Sequence, residues 1–182
     1  MELLQPVGGI LTLAGFGLLI VALLRTNTEQ SFAAFFLWAM LDIIAFITTI
    51  IEHGNYWLAL SNAIGSTSIT LILIVKRQVA WSWVESMTAS LVVICLGIWY
   101  TAGELAGIVA SSLAVVIASV PQMVDTYKKP RATPTHAYVT FLIGNILSVM
   151  GGRSWTIEER FYQCCGVFLC AVIVMFSMRK EK

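Results

Sequence analysis

The chain has 182 residues, of which 58% are hydrophobic and only 12% charged, where an ordinary soluble domain has about 45–50% and about 25%. Lys and Arg number 11 and Asp and Glu 10, a formal net charge of +1, so the total charge says little and its distribution has to be read instead. At about 20 apolar residues per membrane-spanning helix the chain has room for about seven spans with connections of about five residues each, which excludes a soluble enzyme, a nucleic-acid-binding module and a disordered tail.

Charge-poor apolar segments follow one another at residues 7–24, 32–51, 56–75, 86–103, 105–124, 135–152 and 161–178. All are expected to be helices, because an open strand cannot satisfy its backbone groups in lipid. The stretch before the first, Met1 to Pro6, carries Glu2 and no basic residue, so it does not read as a secretory leader.

The second segment holds Asp42, the only acidic residue deep inside a span, with Trp38 one turn earlier on the same face. A carboxylate at mid-membrane costs about 2.5–3.5 kcal/mol on insertion scales, so it marks function by default; pairing with a neighbouring helix is the structural alternative. A lone carboxyl at that depth can carry a single proton. The third segment carries Asn62, Ser66 and Thr70 four residues apart, one polar stripe that either lines a path or bonds helices together.

The fifth segment ends in Val120-Pro121-Gln122, followed by Asp125, Tyr127 and the run Lys128-Lys129-Pro130-Arg131. A proline there removes a backbone donor and permits a kink. The sixth contains Phe141 and, one turn later, Asn145; the seventh contains Gln163 and no lysine, which rules out a retinal Schiff base. Cys95, Cys164, Cys165 and Cys170 sit inside apolar runs without metal or CxxC spacing and read as small packing residues.

Orientation follows from the basic residues. With the N-terminus outside, the inner connections hold Arg25, Lys76, Arg77, Lys128, Lys129, Arg131, Arg179, Lys180 and Lys182, nine of the 11; the outer ones hold only Arg153 and Arg160. The C-terminus is therefore expected in the cytoplasm. Trp57, Trp99 and Trp155 near outer ends, and Trp81 and Trp83 near an inner end, read as interfacial anchors.

The chain also resembles itself. A shift of 103 places Arg25 on Lys128, Phe35 on Tyr138, Trp38 on Phe141 and Asp42 on Asn145; a shift of 101 places Asn62 on Gln163 and Gly65 on Gly166. The fourth helix has no counterpart. The expected fold is all-α and membrane-integral, with seven helices as a 3+1+3 parallel repeat: residues 1–78 the first three-helix unit, 79–104 the linker helix, 105–182 the second unit. Such a repeat has its axis along the membrane normal and its site where the halves meet.

Pro121-Gln122, the basic turn after it and Asn145 one helix later resemble the second PQ-loop of the PQ-loop superfamily, which includes the SWEET sugar transporters, cystinosin-like carriers and the KDEL receptor. With the repeat and the topology, the resemblance covers nearly the whole chain. The first copy departs from it, with Leu18-Leu19 where Pro-Gln would fall. The resemblance implies a substrate site of Asn62 and Gln163 walled by Trp38 and Phe141, with Asn145 also bonding substrate. It implies a proton-coupling role for Asp42 and a hinge at Pro121 and Gln122.

The expected function is a carrier moving a small neutral or zwitterionic solute, sugar or amino acid, by alternating access; Asp42 either titrates during the cycle, coupling transport to a proton, or binds substrate directly, so that both uniport and proton-coupled transport fit. The alternative is a PQ-loop receptor or scaffold without transport. No enzyme is expected: His53 and His136 fall in connections on opposite faces without HExxH spacing. Neither cofactor nor metal is expected, and no nucleic acid. The partners are the solute and the lipid bilayer, and both a monomer and a homo-oligomer fit. The short connections suggest a multi-pass protein of the cytoplasmic (plasma) membrane.

Overall fold

The computed structural model describes residues 3–25, 32–77 and 83–179. Glu2, Trp81, Lys180 and Lys182 lie outside the described residues, as do the side chains of Pro121 and Asp125. Among the described residues all regular structure is helical: α1 (Leu4–Arg25), α2 (Phe32–Ile51), α3 (Trp57–Val75), α4 (Trp83–Ala102), α5 (Glu104–Ala118), α6 (Val120–Lys128), α7 (Thr135–Gly151) and α8 (Ile157–Ser177), with a single 3-10 turn at Pro130–Ala132.

Five helical runs are long and apolar enough to cross a membrane: α1, α2, α3, α8, and α5 with α6 taken together as Glu104–Lys128. Two more apolar stretches, Ala89–Ala102 within α4 and Thr135–Gly151 of α7, are shorter. The architecture is that of an all-helical membrane protein. Its outward faces are apolar too, with Ile10, Leu71, Val93, Phe168 and Met175 exposed, while Asp42, Ser66, Thr70 and Asn145 are buried. Lipid is as apolar as leucine, so polarity is what such a chain hides.

The helix ends follow local chemistry. α2 closes with a Schellman turn, in which His53 donates its N–H to Ile50 O at 3.1 Å and Gly54 donates to Thr49 O at 2.9 Å, with His53 at φ 56°. Gly103, at φ 85°, is the single residue between α4 and α5 and takes the left-handed conformation that glycine adopts without strain. α5 stops at Ala118 and α6 starts at Val120; Pro121 has no N–H to continue the ladder, and Ser119 turns its hydroxyl onto Val115 O at 2.7 Å.

Helix α3 packs against α1 and α2, and α8 packs against α5 and α7. These two groups meet through α1 on α7 and α2 on α5, while α4 lies on α5 and α2. The α1–α7 pairing is the most extensive and is made of small residues. A Cβ at Gly8 would stand 2.6 Å from Gly144 O, and one at Gly151 2.7 Å from Gln5 N. Small residues let two helix backbones approach closely where no hydrophobic effect drives them together. A continuous apolar core runs between the groups, with Leu19, Leu23, Phe35, Leu41, Ile69, Leu73 and Ile173 buried in it.

Candidate functional site

A cavity of about 70 Å³ lies within this core. Six helices line it: Phe16 and Leu19 from α1, Phe35, Trp38 and Asp42 from α2, Asn62 from α3, Ser112 and Val115 from α5, Tyr138, Phe141 and Asn145 from α7, and Tyr162, Cys165, Gly166, Leu169 and Cys170 from α8. Helices α4 and α6 contribute nothing to it. Trp38 and Asp42 come together because they are one turn apart on α2, as are Phe141 and Asn145 on α7.

Asp42 sits in a hydrogen-bonded network that joins both helix groups. Tyr162 Oη donates to Asp42 Oδ1 at 2.7 Å, and Asn62 Nδ2 donates to Tyr162 Oη at 2.8 Å. Ser66 Oγ lies 3.2 Å from Asp42 Oδ2 and 2.6 Å from Asn62 O. Among the described residues no Lys, Arg or His lines the cavity. Among the described residues no group of three His, Cys, Asp or Glu side chains could hold a metal ion.

Around this network the walls are aromatic. Phe141 is tilted against Phe16 with ring centroids 4.7 Å apart and meets Tyr138 edge-on at 5.7 Å. Trp38 packs edge-on to Phe35 at 4.9 Å. Asn145 Nδ2 donates to Phe141 O at 2.7 Å, and its Oδ1 rests against Gly166, where a Cβ would collide with it. Trp38 Nε1, Tyr138 Oη and Asn145 Oδ1 are buried without a hydrogen-bond partner.

Asn62, Asn145, Trp38, Phe141 and Asp42 are therefore gathered at one cavity. Gln163 is not. It is buried with its Nε2 donating to Asn55 O at 2.8 Å, so it ties the turn after α2 to α8, and Asn62 faces Tyr162 instead. Pro121 and Gln122 lie at the start of α6, beside the α5–α6 break. Gln122 is not among the described lining residues of the cavity; its Nε2 donates to Thr126 Oγ1 at 3.3 Å.

A second polar cluster closes the end of the molecule that holds the N-terminus of α1. Glu159 is buried on α8 and accepts from Gln5 Nε2 at 3.1 Å, Arg153 N at 3.0 Å and Arg153 Nη2 at 2.6 Å. The same Arg153 donates to His53 O at 2.5 Å. Asn55 Nδ2 donates to Ser148 O at 3.1 Å. These bonds join α1 and the α2–α3 turn to α7 and α8. At the opposite end Lys76 Nζ donates to Leu23 O at 2.6 Å, and Arg179 Nη2 to Tyr127 O at 3.0 Å.

Tyr162 and Tyr138 are the site residues that the sequence did not single out. The available signal was a phenol inside an apolar run, since a buried tyrosine hydroxyl has to find a partner. Comparison with protein families, curated proteins and solved structures finds no match to this chain.

Proposed function

We propose that the protein is an alternating-access carrier for a small neutral or zwitterionic solute, made of two three-helix units in parallel orientation with α4 as linker. The observation that carries the reading is the Asp42–Tyr162–Asn62–Ser66 network at a cavity where the two helix groups meet. A buried carboxyl with no cation beside it among the described residues suits a group that gains and loses a proton during a transport cycle.

The helix contacts support the repeat. If α1, α2 and α3 correspond to α5, α7 and α8, then α1 on α3 matches α5 on α8, and α2 on α3 matches α7 on α8. The inter-group contacts α1 on α7 and α2 on α5 exchange with each other, as a twofold requires. Gly65 and Gly166 correspond as well: each receives a neighbour's side chain on its bare Cα, Phe16 on one and Asn145 on the other. With PQ-loop-like residues at Pro121-Gln122, this makes a SWEET-like plan the best reading.

The cycle follows from this arrangement. The cavity of about 70 Å³ is far below the about 300–1,000 Å³ of ligand pockets, so this is a closed conformation and the halves have to part to admit a solute. The Glu159 cluster holds the outer end shut. The halves would part at the inner end about the Pro121 break, where α5 stops and α6 starts. Asn62 and Asn145 bond the solute, and Trp38 and Phe141 stack on it; Gln163 secures the outer turn beside them. The membrane is the cytoplasmic one, and the chain is not an enzyme.

The hydrogen count favours proton coupling. Ser66 has one hydroxyl hydrogen, and Asn62 O is its nearer acceptor. When Ser66 donates there, a proton on Asp42 Oδ2 completes the network by donating to Ser66 Oγ, with every hydrogen used once. The test is uptake of labelled mono- and disaccharides and of neutral, basic and sulfur amino acids into proteoliposomes, with and without an inward proton gradient. Asp42→Asn is expected to abolish gradient-driven accumulation while sparing exchange. Accumulation that survives the substitution overturns the coupling role, and no flux of any solute through folded protein favours a receptor or scaffold.

A further inference from the structure

The cavity restricts the solute further than the carrier reading does, through the polar atoms that the fold leaves unbonded. Trp38, Tyr138 and Asn145 are 8%, 3% and 3% exposed, and Trp38 Nε1, Tyr138 Oη and Asn145 Oδ1 have no partner. Within the network Asp42 has Tyr162 on one oxygen and Ser66 on the other, and Asn62 has Tyr162 on its Nδ2, which leaves its Oδ1 as a further acceptor. An indole N–H only donates, an amide oxygen only accepts, and a phenol does either. A buried group left unbonded is destabilising, so these three atoms describe what an occupant brings: an acceptor for Trp38, a donor for Asn145, and one of either kind for Tyr138.

The remaining wall is aromatic, with Phe16 and Phe141 tilted at 55° and 4.7 Å apart. Rings in such arrangements take another ring edge-on or offset-stacked. A pyranose carries a hydroxyl on most ring carbons, and these vacant positions are too few to bond them all. A zwitterion brings a carboxylate, and among the described residues no Lys, Arg or His lines the cavity to receive it.

Resting on the carrier reading for the cavity's role, we propose that the solute is an uncharged planar ring bearing an amide: an aryl amide or a lactam heterocycle, with one or two N–H groups and one or two carbonyl oxygens on an otherwise apolar face. The carbonyl accepts from Trp38 Nε1, the N–H donates to Asn145 Oδ1, and the ring packs against the face that Phe16 and Phe141 form together.

The experiment separates binding from flux. Thermal unfolding of the purified full-length chain in detergent is followed with benzamide, uracil, benzoate, glucose and alanine, and the same labelled compounds are offered to proteoliposomes. Benzamide or uracil is expected to raise the unfolding midpoint saturably, while benzoate, glucose and alanine leave it unchanged. Trp38→Phe keeps a ring and loses the N–H, and is expected to weaken that binding about tenfold, equivalent to about 1.4 kcal/mol; Asn145→Leu should weaken it similarly. If Asn145→Leu does not fold, Trp38→Phe still decides the matter. Binding without flux keeps the inference and defeats the carrier reading. Flux of glucose or alanine without amide binding does the reverse. Neither binding nor flux overturns both, and amide binding unaffected by the substitutions overturns the assignment to this cavity.

Discussion

Tyr162 shows how much a one-residue shift along a helix changes. Aligning the two copies by 101 sets Gln163 opposite Asn62, yet Tyr162 makes that contact and bridges Asn62 to Asp42. Neighbouring residues on a helix point about 100° apart, so an alignment off by one exchanges a cavity residue for one facing the α2–α3 turn. Asp42 needed no such precision, because a single deep acidic residue stands out in any register. Tyr162→Phe keeps the ring and strands Asn62 Nδ2 and Asp42 Oδ1. It is expected to lower stability by about 1–3 kcal/mol and to slow gradient-driven uptake by an order of magnitude or more. Chemical denaturation in mixed micelles and initial-rate uptake measure the two effects; wild-type values for both would remove Tyr162 from the site.

Among the elements, the α1–α7 seam has the strictest steric demand. A Cβ at Gly144 would lie 2.5 Å from Thr12 Oγ1 and 2.8 Å from Gly8 O, and neither a backbone oxygen nor a hydroxyl bonded back to its own helix at 2.9 Å can easily withdraw. Gly144→Ala is therefore expected to destabilise by about 1–3 kcal/mol through overpacking. Gly17, on the same α1, has nothing within 4 Å of an added Cβ, so Gly17→Ala should be neutral or stabilise by up to about 1 kcal/mol. Thermal melts of the pair check this, and equal effects would show that the seam is looser than its geometry. The seven apolar segments were readable because hydropathy over about 20 residues is a strong signal, and so was the Pro121 break, since a missing N–H is a property of the residue itself. The bond from Gln122 to Thr126 was not, because several acceptors lie within reach of a glutamine and only the folded chain selects one.

For the whole molecule the decisive feature is the end with Glu159, which is bonded across the helix groups. Arg153 is half exposed while Glu159 is buried, so removing the buried charge is the informative change. In a Cys164→Ala background, Glu159→Gln is expected to raise labelling of the cavity-lining Cys165 by a membrane-impermeant maleimide applied from the N-terminal side by about tenfold, equivalent to about 1.4 kcal/mol of lost closure. Cys95 and Cys170 are buried and contribute little background. An unchanged rate would mean that the cluster does not hold that end shut.

The sequence by itself determined that this chain is helical and lipid-embedded, that Asp42 is its deep ionisable group, and where its fifth apolar segment breaks. Those follow from composition and from properties of single residues. Only the tertiary structure decided that Tyr162 rather than Gln163 meets Asn62, that Glu159 and Arg153 join α8 to the turn after α2, and that three polar atoms remain unbonded inside an aromatic cavity. The first two depend on groups about 100 residues apart in the chain reaching hydrogen-bond distance and the third on how the helices pack around the cavity, and hydropathy, which averages over a segment, carries no information about which face of one helix meets which face of another.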